Sequence, residues 1–137
     1  MTNIESHRLI IKRCDKDIFE FLSDFTNFNA LMPAQVVGWS SDKDTCSFKI
    51  QDFPNIKMRI IDRIPYSNIN ISSQEDSPII FNMQCILNKK SDFETEVFIR
   101  FNADLPPMIK MMAAKPLKNF VDLLVNQLKI IAENGKF

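Results

Sequence analysis

The stretch that most constrains this chain is its last quarter, where apolar residues recur at steps of three and four across 106–134. Leu117, Phe120, Val121, Leu124, Leu128 and Ile131 share one stripe at about 100° per residue. Lys118, Asp122, Asn126, Lys129 and Glu133 fall away from it. Pro107 suits the first helical turn, where a missing N–H costs nothing, and Asp104 just upstream offers a capping oxygen. Gly135 follows the last periodic residue, as the left-handed position after a helix prefers. Pro116 removes one ladder bond and crowds the Met112 carbonyl, yet the stripe continues past it, so a bend is expected rather than an end. A helix this long and one-sided requires an apolar surface of matching length elsewhere in the chain.

The middle of the sequence supplies that surface. From residue 36 to 103 the apolar period is two, in runs at 36–40, 45–51, 56–64, 68–74, 79–89 and 93–103. Short polar turns join them, which predicts antiparallel neighbours. Met58 and Ile60 alternate with Lys57 and Arg59; Phe81, Met83, Cys85 and Leu87 alternate with Asn82, Gln84 and Asn88. Such alternation marks a sheet with one buried and one wet face. Residues 4–12 read as a further strand. Asp15 offers a cap to a short helix carrying Ile18, Phe19, Leu22 and Phe25, and a second helical turn over 27–32 stops at Pro33. The expected fold class is α+β. A seven-stranded curved antiparallel sheet, with two short helices after its first strand, holds the long C-terminal helix within one domain over 1–137.

Charge is balanced at 17 basic and 17 acidic residues, so the total gives no electrostatic reason to expect nucleic acid or an anionic membrane as partner. No run of about 18 apolar residues occurs, so membrane insertion is not expected, and residues 1–7 lack the apolar core of a signal peptide. Cys14, Cys46 and Cys85 are odd in number with no Cys-x-x-Cys spacing, which reads as three reduced thiols in a cytoplasmic protein.

Chemistry-bearing motifs are sparse. His7 is the only histidine, so no multi-histidine metal site can form, and its context suggests a solvated strand residue. Neither a metal nor a cofactor is expected. Cys46 and Cys85 read as buried small hydrophobes rather than nucleophiles. Asp62 shares phase with Met58 and Ile60, and pointing inward it would be a general acid or base with a raised pKa. The competing reading, a strand end or bulge that turns Asp62 to solvent, is favoured because charged residues are seldom buried unpaired. Arg63 is expected on the outer face with Arg59, opposite Glu94 or Glu96.

The order of elements resembles the helix-grip superfamily, which contains START domains, pollen-allergen-like proteins and polyketide cyclase/dehydrase-like (SRPBCC) proteins. Cys14-Asp-Lys-Asp-Ile-Phe-Glu-Phe-Leu-Ser-Asp-Phe25 is similar to that group's first helix, Asn27-Phe-Asn-Ala-Leu-Met-Pro33 to its second, and Val37-Gly-Trp39 to the following strand. Asp52-Phe-Pro-Asn55 stands where some branches have a glycine-rich turn. The resemblance implies an apolar cavity between sheet and helix, often holding a lipid, steroid or polyketide. It also favours a cavity role for Met108, Met111 and Met112, which are expected to face the same interior as Met32, Met58 and Met83. The expected function is binding of a small hydrophobic ligand by Phe28, Leu31, Met32, Trp39, Met58, Ile60, Phe81, Met83, Met108 and Met112. Two alternatives are a cyclase/dehydratase-like enzyme using Asp62 and a protein-interaction module without ligand. A weak homodimer is expected through Leu123 and Ile130 on the helix, or Ile61, Ile86 and Phe98 on the outer sheet face.

Overall fold

The computed structural model describes residues 2–50 and 54–137. Its strands are β1 (Thr2–Glu5), β2 (Leu9–Ile11), β3 (Val36–Ser41), β4 (Thr45–Ile50), β5 (Ile56–Ile64), β6 (Asn68–Ser73), β7 (Phe81–Ser91) and β8 (Glu94–Ala103). The helices are α1 (Asp15–Leu22), a 3₁₀ helix (Phe25–Leu31) and α2 (Pro107–Glu133). All strand pairs are antiparallel, in the order β1-β8-β7-β6-β5-β4-β3, and β2 also pairs with β8. The end of the expected strand 45–51 and the turn at 52–55 fall partly outside the described residues.

The sheet has eight strands rather than seven because the expected first strand breaks at Ser6-His7-Arg8. Ser6 donates its N–H to the Ile99 carbonyl (2.8 Å), but its hydroxyl, not its carbonyl, accepts the Ile99 N–H (2.8 Å). The ladder steps aside at that point. The His7 N–H, freed by the break, donates to the Asp122 carboxylate on α2 (2.8 Å). His7 therefore sits in a loop rather than in a strand, with Asp122 3.3 Å from its ring.

A bulge at Ile61 redirects the second half of β5. Ile60 pairs with Ile71 and Asp62 with Asn70, leaving Ile61 as the extra residue. One inserted residue reverses the facing of the residues after it, so Asp62 is exposed. Arg63 does not meet Glu94 or Glu96; it donates to the Ser23 carbonyl (2.8 and 3.0 Å) and pairs with Asp44 at 2.6 Å. A second bulge between Val37 and Ser40 contains Gly38 at φ +66°, a conformation that costs glycine little.

The helix caps differ from those expected. Cys14 occupies the N-cap of α1, with Asp15 as its first helical residue, and Pro106 rather than Asp104 precedes α2. Neither gives a side-chain cap. Asp24 does: it accepts the Thr26 N–H (2.9 Å) at the start of the 3₁₀ helix. Helix α2 runs through Pro116 without interruption and ends before Gly135, which has φ +66°.

One face of α2 carries the core. Leu117, Phe120, Val121, Leu124, Leu128 and Ile131 are all buried, and Ala113, Val125 and Ala132 widen the stripe. The curved sheet is held to the helix from both sides. On the β3–β4 side Phe120 stacks on Phe48 (5.7 Å), and Phe48 meets Trp39 (5.5 Å). On the β1–β2 side Asp122 holds the His7 N–H, the Lys129 ammonium reaches the Ile10 carbonyl (2.7 Å), and Glu133 accepts the Lys12 N–H (2.9 Å). On the outer sheet face Phe98 is buried rather than exposed, because the Arg8 guanidinium lies 3.9 Å from its ring centre. Leu123, Ile130 and Ile61 are exposed.

Candidate functional site

Antiparallel topology decides which loops meet. The β4–β5, β6–β7 and β8–α2 connections all emerge at one end of the sheet. There Pro54, Pro78, Ile79, Leu105, Pro106, Ile109 and Met112, with Asp104 at the rim, surround a pocket of about 400 Å³. Three prolines fix the entering backbone and add apolar surface without an N–H to satisfy. Ile109 and Met112 reach it from the first two turns of α2. The stacked pair Phe81–Phe101 (4.9 Å) follows in the two strands that lead into these loops.

The space directly between sheet and helix is filled by side chains. Phe28, Leu31, Met58, Ile60, Phe81 and Met83 are each 5% exposed or less, and Met32 and Trp39 are half-buried against them. These eight belong to the packed core. Met112 lines the apolar pocket, with 73% of its surface still exposed. Met108 does not face the interior at all and is 79% exposed. The reason is phase. At about 100° per residue Met108 and Met112 lie roughly 120–180° from Leu117, Leu124 and Leu128, on the side of α2 that faces away from the sheet. Sequence reasoning missed Pro54, Pro78, Ile79, Leu105, Pro106 and Ile109 because they come from three separate connections. The signal was the topology itself, which brings those connections together.

Neither a family model nor a curated protein matches the sequence. Solved structures do match the fold. XoxI from Bacillus cereus aligns with a TM-score of 0.77 over 100% of this chain and 99% of its own, at 8% identity. Norcoclaurine synthase from Thalictrum flavum, solved as a point mutant in complex with a transition-state analogue, gives 0.76 over 99% and 96%, at 12% identity. A START superfamily protein from Mycobacterium smegmatis gives 0.71 over 96% and 97%, at 13% identity. The chain has the helix-grip fold.

Within this helix-grip frame Asp104 is, among the described residues, the one ionisable group that lines the apolar pocket. Asp62 is carried outward by the Ile61 bulge, which removes it as an inward acid or base. Burial pushes the Cys46 and Cys85 thiols up to about 12, so both are protonated and unreactive near neutral pH. All three cysteines are free thiols. Among the described residues no group of three or more His, Cys, Asp or Glu is placed to hold a metal ion. No helix is long and apolar enough to cross a membrane. A wall of this composition can desolvate a guest and select it by shape, with Asp104 and the backbone of the loops as its polar features.

Proposed function

We propose that this protein binds a small hydrophobic molecule, of the lipid or polyketide class, in the pocket at the N-terminal end of α2. The observation that carries this reading is the pocket's wall: seven of its eight lining residues are apolar, around a volume of about 400 Å³. That volume falls within the range of small-molecule sites, roughly 300–1,000 Å³. Met112 and Ile109 lend the wall flexible and branched apolar surface able to follow guests of differing outline. Norcoclaurine synthase, a protein of the same fold, was solved with a small molecule bound, which supports the fold's capacity for such guests. Free thiols at all three cysteines support a reducing, cytoplasmic setting.

An environment-sensitive hydrophobic dye should bind the folded protein and be displaced by fatty acids or flat polycyclic compounds. Ile109→Trp should fill the pocket and weaken dye binding tenfold or more while leaving the melting temperature within a few degrees, because Ile109 is exposed and outside the core. A folded sample that takes up no dye, or an Ile109→Trp variant that binds it unchanged, overturns the reading.

Exposed Leu123 and Ile130, flanked by uncharged Asn119, Asn126 and Gln127, support weak self-association through the outer face of α2. Sedimentation at micromolar concentration should show a dimer that Leu123→Glu with Ile130→Lys converts to monomer. A monomeric parent, or a variant that stays dimeric, removes that interface.

A further inference from the structure

The apolar pocket is one-sided in its hydrogen bonding. Of the described residues that line it, Asp104 alone carries a polar side chain, and a carboxylate only accepts. The Met112 thioether is a weak acceptor, and no side chain of the described wall is a donor. Backbone donors are scarce there as well. Pro54, Pro78 and Pro106 have no N–H, and the Asp104 N–H is spent on the Ile80 carbonyl (3.2 Å).

The Asp104 carboxylate is exposed and makes no ion pair among the described residues. The lysines of the adjoining elements are committed or turned away. Lys57 pairs with Asp76 at 2.6 Å and Lys118 with Asp122 at 2.9 Å. Lys110 lies about 130° around α2 from the midpoint of Ile109 and Met112, at about 100° per residue. Lys115 lines a separate small cleft with Pro116 and Phe120. The N-terminus of α2 is a further source of positive potential, but Pro107 opens it without an N–H, and the Lys110 N–H already reaches the Pro106 carbonyl (2.8 Å). Its partial charge, about half an elementary charge, is smaller than the whole charge on Asp104.

We infer, resting on the pocket as the binding site, that its guests carry a hydrogen-bond donor at their polar end, and that apolar amines are the class it favours. At neutral pH an alkylamine is cationic and a fatty acid anionic. The ammonium stays at the wet rim against Asp104, while the hydrocarbon part lies along Ile79, Ile109 and Met112. A fatty acid in the same pose sets its carboxylate beside a like charge. Turned round, it buries that carboxylate in a wall without a side-chain donor, which costs more. A neutral alcohol gives Asp104 a hydrogen bond without the charge, so it ranks between the two. Asp104 is then the residue that sets the specificity of the pocket. Because it is exposed, water screens the pair and keeps the preference moderate.

Competition of decylamine, decanol and decanoic acid against the hydrophobic dye tests this, since the three share one hydrocarbon chain. At neutral pH and low salt, decylamine should displace the dye from the full chain at about tenfold lower concentration than decanoic acid, with decanol between. About 0.5 M salt should narrow the gap. Asp104→Asn should bring amine and acid within about twofold of each other, and Asp104→Lys should reverse their order. Both variants change an exposed side chain, so their melting temperatures should stay within a few degrees of the parent's. Ile109→Trp should weaken all three compounds together, which places them in the pocket. An amine that displaces the dye no better than the acid overturns the inference and leaves the pocket reading standing. A preference that survives Asp104→Asn overturns it too, as does decylamine binding unchanged by Ile109→Trp. If neither the dye nor any of the three compounds binds the folded parent, the pocket reading fails and the inference fails with it.

Discussion

Phe120→Ala is expected to lower the stability of the chain by about 3–5 kcal/mol, the range for deleting a large buried aromatic side chain. Its ring is buried and stacks on Phe48, which in turn meets Trp39. That stack is an aromatic link from α2 across to β3 and β4. The hydrogen-bonded ties at Asp122, Lys129 and Glu133 all reach the opposite edge of the sheet. Removing the ring opens a void on one side and leaves Phe48 without its stacking partner. Domains are stable by only about 5–15 kcal/mol, so the loss is a large share of the total. Urea unfolding of parent and variant measures it directly. A change below about 1 kcal/mol would mean that the aromatic stack is not what seats the helix on that side.

Ser6→Ala is expected to cost about 1–3 kcal/mol, although it deletes a single oxygen. The Ser6 hydroxyl is the acceptor for the N–H of Ile99, and both residues are buried. Alanine leaves that amide inside the protein with neither acceptor nor water. Ser6→Thr keeps the oxygen and should recover most of the loss. Denaturant unfolding gives the energy, and exchange of the Ile99 amide proton localises it. An alanine variant as stable as the parent would show that β1 and β2 could run as one strand, as the sequence pattern suggests.

That break marks the boundary of what pattern can reveal. The bounds of the strand at 56–64 and of the long helix were legible nearly to the residue, because turn residues and helix-end residues mark them in the sequence. The split at Ser6 was not. One hydroxyl replaces one carbonyl, and the freed His7 amide is satisfied by a residue 115 positions later. Strict alternation alone would turn Asp62 inward; the favoured reading, a bulge that turns it to solvent, is what the one extra residue at Ile61 produces. Of the two helix methionines among the expected pocket residues, Met112 does line a pocket and Met108 does not. The apolar character of Met108 suggested a buried face, while its phase against Leu117 and Leu124 set it on the far side. The pocket wall lay beyond any single segment, since its residues adjoin only once antiparallel pairing has gathered three connections at one end.

Mechanically, α2 is a beam clamped at one end. The bonds that fasten it to residues 7–12 come from positions 122 to 133, and the core stripe begins only at Ala113. Pro116, at the junction, has no N–H with which to brace the turn below it. Deflecting the free end would therefore break few of the contacts that global unfolding must break, and it draws on a much smaller local free energy. A sideways load on Met108 or Met111 becomes a change in the spacing of Ile109 and Met112 from Ile79 and Pro54, while Leu124 and Leu128 remain seated. The pocket's width and the domain's stability are set by opposite halves of the same helix, so either can be altered by substitution without the other.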